Sequence, residues 1–345
     1  MADGKKTKKS LDSWHYGITV KPSKDDSENV SEENKQKAAE KRKKFFLLAV
    51  LALILVAAGI IFYISRNKEN NSVLSNDSPV SSDNQASSTE DELTKELKVV
   101  FLDVGQGDCI LISCEGHHML IDAGGEAYGT RVWKFLKDNG VETLDYCIGT
   151  HLDADHVGGM DVIVQKFDCA GIILPDYTRD TKAYRDLMDV IRWRRLVPVR
   201  PSVGDSYRLG SAEFVILAPS AGEHEDDNDY SIVILLKYGE NSFLFTGDAT
   251  ETSETEMLAL NGDLKADVLK AAHHGSSSST GENFLEAVSP EYVVVSCGEN
   301  NDYGHPHKSF LKRVKKAGSE ILRTDEAGTI TFVSDGETLT VMTEK

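Results

Sequence analysis

The sequence lacks the cysteine pairs of a zinc finger or a redox site. None of its five cysteines forms a CxxC pair, and most lie inside apolar, strand-like runs: Cys109, Cys114, Cys147, Cys169 and Cys297. We therefore expect small buried core residues. A disulfide is possible outside the cell, but an odd number of cysteines leaves at least one thiol without an intramolecular partner.

Several nucleotide and hydrolase motifs are also missing. There is no Walker phosphate loop and no G-x-S-x-G elbow. Gly105-Gln106-Gly107 lies between two apolar runs and lacks the following helix that a dinucleotide site needs. No repeat of 20 to 50 residues recurs, which argues against a solenoid or a propeller.

Positive charge is scarce after residue 68. Residues 1–68 carry 14 basic and 8 acidic residues, whereas the remainder carries 24 and 48, a net charge of −24. Such an acidic domain is not built for loose attachment to polyanions. The one basic stretch is Tyr184 to Pro201, in which five arginines surround Trp193. It is either a nucleic-acid contact or an ordinary solvated helix face.

A long uncharged run follows the basic tail. Residues 45–65 would form a helix of about 31 Å, which matches a hydrocarbon core of about 30 Å. A cleaved signal peptide fits less well because the run is too long and lies behind 44 polar residues. We predict one transmembrane helix, with residues 1–44 as a cytoplasmic tail and everything beyond it outside the cell, since 12 Lys and Arg precede the run.

The rest of the chain divides into a tether and a folded domain. Residues 66–96 are rich in Ser, Asn and Asp and poor in large apolar side chains, which predicts a flexible linker. Residues 97–345 alternate short apolar strands with helices, beginning with a meander formed by "KVVFLDVG", "CILISC" and "HMLIDAGG". Strands this apolar on both faces predict an α+β domain with four layers: helices, sheet, sheet, helices.

The segment "GTHLDADHVGG" is the strongest chemical signal. It follows an apolar strand and brings His151, Asp153, Asp155 and His156 into one loop. Imidazole nitrogen and carboxylate oxygen together suit zinc, manganese or iron(II). The glycines that follow let the chain turn sharply into the next helix.

Three further strand ends carry similar residues. Asp248 follows the strand in "FTGDA", His273 and His274 follow the strand in "LKAAHHGS", and "YGHPH" supplies His305 and His307. A carboxylate at the end of an apolar strand is costly without a partner. We therefore predict that all four segments meet at one metal site.

The ordered motifs resemble the metallo-β-lactamase superfamily. The likeness runs through "FLDVGQGDCILI", "MLIDAGG", "THLDADHVGG", "NDYSIVILLKYG", "FLFTGDA", "LKAAHHGS" and "YGHPH", and is nearest to the hydrolase domain of ComEC-type competence proteins. It implies an αββα sandwich with two divalent ions, zinc or manganese, between the sheet edges. By the same resemblance the ligands are His151 and Asp153 for the first ion, Asp155 and His156 for the second, Asp248 as the bridge, and His274 in preference to His273.

The sequence departs from the superfamily pattern in two places. Asp153 stands where the usual HxHxDH motif has a histidine, and no histidine clearly fills the position between the loop and the bridging aspartate. His224 lies in that interval on an acidic loop, while Asn228 is the better positional match and is predicted to contact metal or substrate. Oxygen in place of nitrogen should favour manganese over zinc.

The predicted reaction is hydrolysis of a phosphodiester, with DNA as one candidate substrate. A bound ion would lower the pKa of a water molecule held by Asp155 and Asp248, while His273, His305 and His307 would orient or protonate the substrate. Hydrolysis of a lactam, lactone or thioester is the alternative within the same fold. A membrane-anchored module that binds partners without catalysis is the third hypothesis, and its protein partners cannot be inferred.

Overall fold

A computed structural model describes residues 95–260 and 262–345 of the chain. The predicted tail, the predicted transmembrane helix and nearly all of the predicted linker lie outside these residues. Within the described part, no helix has both the length and the apolar character that are needed to cross a bilayer.

The first sheet has seven strands, in the order β14-β13-β1-β2-β3-β4-β5. Strands β1, β2 and β3 form the predicted antiparallel meander, and β3, β4 and β5 run parallel. The strands are β1 Leu97–Phe101, β2 Ile110–Cys114, β3 His117–Ile121, β4 Thr143–Ile148, β5 Asp168–Ile173, β13 Ile330–Ser334 and β14 Leu339–Thr343.

The second sheet also has seven strands, in the order β12-β11-β10-β9-β8-β7-β6. Strands β9 to β12 are parallel, while β6 to β9 are antiparallel. The strands are β6 Ser206–Leu209, β7 Ala212–Ala218, β8 Val233–Tyr238, β9 Asn241–Phe245, β10 Val268–Lys270, β11 Tyr292–Val295 and β12 Glu320–Arg323.

Eight α-helices connect these strands in the described residues. They are α1 Gly129–Asp138, α2 Ala154–Val157, α3 Met160–Lys166, α4 Lys182–Trp193, α5 Glu251–Leu260, α6 Glu282–Val288, α7 Lys308–Ala317 and α8 Thr324–Ala327. Three short 3₁₀ turns complete the set: Glu126–Tyr128, Asp227–Tyr230 and Ala272–Gly275.

Three apolar cores define the layers. Alternate side chains of β1 face opposite ways, so that Val99 and Phe101 pack toward the second sheet while Val100 packs toward the helices. The Phe101 and Phe245 rings meet across the two sheets at 6.1 Å. Helices α1, α3 and α4 cover the first sheet, and α5, α6 and α7 cover the second. The predicted α+β sandwich of two sheets between helical layers is therefore confirmed.

Candidate metal centre

The buried polar groups collect where parallel strands of both sheets end. His151 follows β4, Asp248 follows β9, and His274 follows β10. Parallel strands end at the same edge of a sheet, so these loops are brought together by the topology. This is the convergence that the strand-end motifs predict.

Four buried residues offer ligand atoms that all lie within 4.8 Å of one another: Asp108, His156, Asp248 and His274. The Nε2 atoms of His156 and His274 are 3.3 Å apart. The two oxygens of Asp248 lie 3.3 Å from these nitrogens, one beside each. Asp155 Oδ2 adds a third carboxylate oxygen 3.4 Å from His274 Nε2.

Each imidazole of this group has a hydrogen-bond partner on its Nδ1 atom. His156 Nδ1 lies 2.7 Å from Asp122 Oδ2, and His274 Nδ1 donates to the carbonyl oxygen of Ser296 at 2.9 Å. Asp122 in turn accepts hydrogen bonds from the backbone and hydroxyl of Thr150. A partner on Nδ1 fixes the ring orientation and leaves Nε2 free for a metal ion.

Asp108 supports the group from behind. Its Oδ2 lies 2.7 Å from Lys270 Nζ, and both side chains are almost fully buried. Its oxygens approach His156 and His274 on their Nδ1 atoms, at 3.9 and 3.4 Å, which is the side away from the converging Nε2 atoms. We therefore assign Asp108 to the support of the histidines. Burial alone would raise the pKa of Asp108, but Lys270 and His274 hold that pKa below its usual value.

The pKa values of this group are shifted by the attraction between its carboxylate and its imidazoles. Burial raises the pKa of a carboxyl, yet His274 and His156 hold the pKa of Asp248 well below its usual range. Burial likewise disfavours charged imidazoles, but Asp248 raises the pKa of both His156 and His274 well above the usual value. The carboxylate of Asp248 and the two imidazoles thus stabilise one another's charged forms, and a cation between them would interact favourably with the carboxylate.

His151 lies beside this group and faces a second position. Its ring centroid is 4.1 Å from that of His156, and its Nε2 is buried without a hydrogen-bond partner. Burial lowers the pKa of His151 to about 3, so the imidazole is neutral and its nitrogen can act as a ligand. Asp153 Oδ1 is 4.0 Å from His151 Nε2, but this carboxylate is 34% exposed and forms an ion pair with Arg179.

The remaining predicted histidines form a wall beside the centre. His273 Nε2 is 3.8 Å from Asp248 Oδ2, and its ring lies 5.5 Å from that of His305. Burial lowers the pKa of His305 to about 4. His307 packs against His305 with ring centroids 4.8 Å apart, and its Nδ1 accepts the Ser277 N–H at 2.9 Å.

The backbone at the "HHGS" motif is unusual. His273 and His274 both have left-handed dihedral angles, with φ of 49° and 53°. Gly275 follows with φ of +78°, where a Cβ atom would lie 2.7 Å from Pro306. Strained non-glycine residues of this kind persist where the surrounding structure enforces them, often at functional sites.

Within the described residues, no hydrogen bond or ion pair joins His224 or Asn228, the two candidates in the acidic loop, to this group. Asn228 belongs to the 3₁₀ turn Asp227–Tyr230, and its side chain forms no hydrogen bond within the described part of the chain. His224 Nε2 pairs with the carbonyl oxygen of Ser220. Contact of Asn228 with metal or substrate remains a prediction.

Sequence reasoning missed the supporting residues. Asp108, Asp122 and Lys270 lie within quoted motifs, "GQGD", "LIDAGG" and "LKAAHHGS", and a charged residue next to an apolar strand was the available signal. Nothing in the sequence pointed to Arg179. The predicted character of the cysteines is confirmed, because all five are buried and free.

Known proteins share these motifs. The family profile described as "Metallo-beta-lactamase superfamily" matches residues 102–299. ComE operon protein 3 of Bacillus subtilis is 30% identical over 258 residues, covering 70% of this chain and 33% of the relative. Competence protein ComA of Neisseria gonorrhoeae is 33% identical over 239 residues, covering 69% and 32%. These competence proteins confirm the ComEC-type resemblance, although the chain spans about a third of their length.

Solved structures also align with this chain, at lower identity. The metallo-beta-lactamase fold protein YhfI from Bacillus subtilis aligns with a TM-score of 0.46 and 14% identity. The alignment covers 70% of this chain and 100% of that protein.

Proposed function

The chain belongs to the metallo-beta-lactamase superfamily, and we propose that it is a membrane-anchored, metal-dependent phosphodiesterase. One observation carries the metal dependence: the Nε2 atoms of His156 and His274 converge to 3.3 Å beside the carboxylate of Asp248, and each imidazole has its Nδ1 already engaged.

The donor set favours a divalent ion. His156, His274, Asp155 and Asp248 would hold an ion at an inner position, and His151 and Asp153, together with Asp248, would hold one at an outer position. Nitrogen and oxygen donors without thiolate suit zinc or manganese, and the second carboxylate in the outer position favours manganese. We therefore propose two divalent ions, with the inner position as the tighter one because its ligands are more fully buried.

Bound ions would supply Lewis acidity, which lowers the pKa of a coordinated water and stabilises charge on a phosphoryl group. The protein supplies the orientation. Asp155 is one-third exposed, so its carboxylate can accept a hydrogen bond from water that enters the site and orient that water. His305 is neutral near pH 7, and neutral imidazole still donates one N–H to a substrate oxygen.

His307 has a defined donor. Because its Nδ1 accepts the Ser277 N–H, a neutral His307 carries its own hydrogen on Nε2. That N–H suits a phosphate oxygen or the leaving oxygen, while His273 beside Asp248 can contact the opposite side of the substrate. These are the proposed catalytic roles of the three histidines.

DNA and envelope phosphodiesters are the proposed substrate classes. The competence names of the relatives favour DNA, but the basic stretch from Tyr184 to Pro201 offers less free positive charge than its sequence suggests. Four of its five arginines lie beside aspartates: Arg185 with Asp180, Arg192 with Asp189, Arg194 with Asp168 and Arg200 with Asp176. A small or singly charged diester therefore fits the net acidic domain better than a long polyanion.

The location of the domain follows from the amino-terminal sequence. We propose a single-pass membrane protein with a cytoplasmic amino terminus and an extracytoplasmic domain. The uncharged run at residues 45–65 and the 12 basic residues before it support this topology.

The test is a diester panel with the full chain. After loading with Mn²⁺ or Zn²⁺, we expect metal-dependent cleavage of bis-p-nitrophenyl phosphate, single-stranded DNA or a teichoic-acid-like diester. Asp248→Asn should abolish cleavage, and Asp145→Asn, which changes a surface carboxylate, should not. Turnover of nitrocefin without diester cleavage would support the lactam alternative. Metal-loaded protein that turns over neither substrate would support a binding module.

A further inference from the structure

Arg179 lies at the open edge of the metal centre, in the loop between β5 and α4. Its Nη1 forms an ion pair with Asp153 Oδ1, and its Nε lies 3.1 Å from Asp227 Oδ2. The Arg179 and Asp153 side chains are about one-third exposed. The guanidinium therefore bridges two aspartates, one of which is the variant residue of the HxDxDH motif.

The loop that carries Arg179 is fixed to both neighbouring segments. Tyr177 Oη accepts the N–H of Leu152 at 2.7 Å, immediately after His151. The Tyr177 ring stacks on Tyr230 with centroids 4.4 Å apart. Tyr230 belongs to the same 3₁₀ turn as Asp227. The position of Arg179 beside Asp153 is thus set by contacts on both sides of the loop.

The same oxygen of Asp153 faces both groups. Asp153 Oδ1 lies 4.0 Å from His151 Nε2, and it is also the atom that pairs with Arg179. A cation bound between His151 and Asp153 would lie within a few ångströms of the guanidinium. Like charges at that separation repel, and a carboxylate paired with arginine is a weaker ligand than a free one.

We propose that Arg179 competes with the outer metal ion for Asp153, so that the outer position binds its ion reversibly while the inner position holds its own. This inference depends on the outer position of the proposed function. It also explains the variant residue, because an imidazole at position 153 would give the guanidinium no negative charge to pair with. Asp153 and Arg179 then form a matched pair.

The test measures metal affinity directly. Mn²⁺ is titrated into the metal-free full chain, and free Mn²⁺ is followed by electron paramagnetic resonance. We expect two classes of site in the wild type. Arg179→Ala should tighten the weaker class by about fivefold, the scale of a partly exposed ion pair, and leave the tighter class unchanged.

Two further variants separate competition from a general loss of charge. Arg200→Ala removes a similarly exposed arginine that has no contact with Asp153 and should leave both classes unchanged. Asp153→Asn should weaken or abolish the weaker class, and adding Arg179→Ala to it should change nothing more. Near-ultraviolet circular dichroism checks that each variant is folded, and Arg179→Gln, which also removes the positive charge, serves if the alanine variant is not.

Some outcomes would overturn the inference. These are an unchanged weaker class in Arg179→Ala, an equal shift of both classes, or a single class in both wild type and variant. Diester turnover is not needed for the readout. The chain could bind two ions, and Arg179→Ala could tighten the weaker class, while no diester is cleaved. That result would disprove the proposed function and leave this inference standing.

Discussion

Lys270 Nζ lies 2.7 Å from Asp108 Oδ2, and this ion pair is buried behind the imidazoles of His156 and His274. Lys270 also donates to the carbonyl oxygen of Ala271. A buried ion pair is weak evidence for stability as a pair, but removing one member leaves an uncompensated charge in the interior. We therefore expect a substitution of Lys270 alone to lower the free energy of unfolding more than removal of both charged side chains does.

Lys270→Met should lower the free energy of unfolding by about 3 to 5 kcal/mol, because it removes the ammonium group that lies 2.7 Å from the buried Asp108 carboxylate. The double variant Asp108→Leu with Lys270→Met should recover most of that loss. Urea unfolding of the full chain measures both. A single variant that costs less than about 1 kcal/mol would mean that water or a rearranged side chain compensates the carboxylate.

Asp122 should control metal affinity without contacting the ion. Asp122→Asn replaces the carboxylate behind His156 with an amide and should weaken metal binding by about 10- to 100-fold. Titration with a competing chelator measures this. Asp145→Asn is the matched control, because Asp145 makes a similar contact with His117 at 3.0 Å on the surface. Equal effects of the two variants would contradict a positioning role for Asp122.

The two adjacent histidines of "HHGS" should separate metal retention from turnover. His274 is buried with its Nε2 in the converging group, whereas the His273 side chain is 28% exposed and lies at the rim. His274→Ala should lose the inner ion during gel filtration. His273→Ala should retain it while diester turnover falls. Elemental analysis of both variants decides, and a loss of metal in His273→Ala comparable to that in His274→Ala would reverse the assignment.

Local pattern predicted much of the fold. The meander from β1 to β3 and the alternation of strands with helices follow from periodicity, turn residues and short loops. The terminal strands β12, β13 and β14 were not predicted. Strand β14 is mostly exposed, and β13 pairs with β1 from the far end of the domain, a contact that sequence spacing does not encode.

The residues of the site also divide into those that the sequence predicts and those that it does not. His151, His156, Asp248 and His274 could be found because each follows an apolar strand, and parallel strands end together. Arg179 could not, because its role depends on how a connecting loop packs beside Leu152 and Tyr230. Side chains whose partners are chosen by loop packing leave no periodic or motif signal in the sequence.

Glu254 should make stability depend on pH. This buried side chain of α5 accepts the N–H groups of Thr280 and Gly281, and burial raises its pKa from 4.5 to about 7. A carboxyl whose pKa is raised in the folded state stabilises the fold fully below its unfolded pKa, and that contribution is lost as pH rises through the folded pKa. The loss therefore falls between about pH 4.5 and pH 7.

Glu254→Gln removes this titration but leaves one oxygen in place of two to accept the N–H groups. At pH 5 the variant should be less stable than the wild type, and by pH 8 the difference should shift in its favour by about 2 to 3 kcal/mol. Urea unfolding at a series of pH values measures the difference. Glu251→Gln removes an exposed carboxyl from the same helix and is the control. The difference in the free energy of unfolding between the wild type and Glu254→Gln could instead stay constant from pH 5 to pH 8. That result would show that the carboxyl is already ionised in the folded state at pH 5.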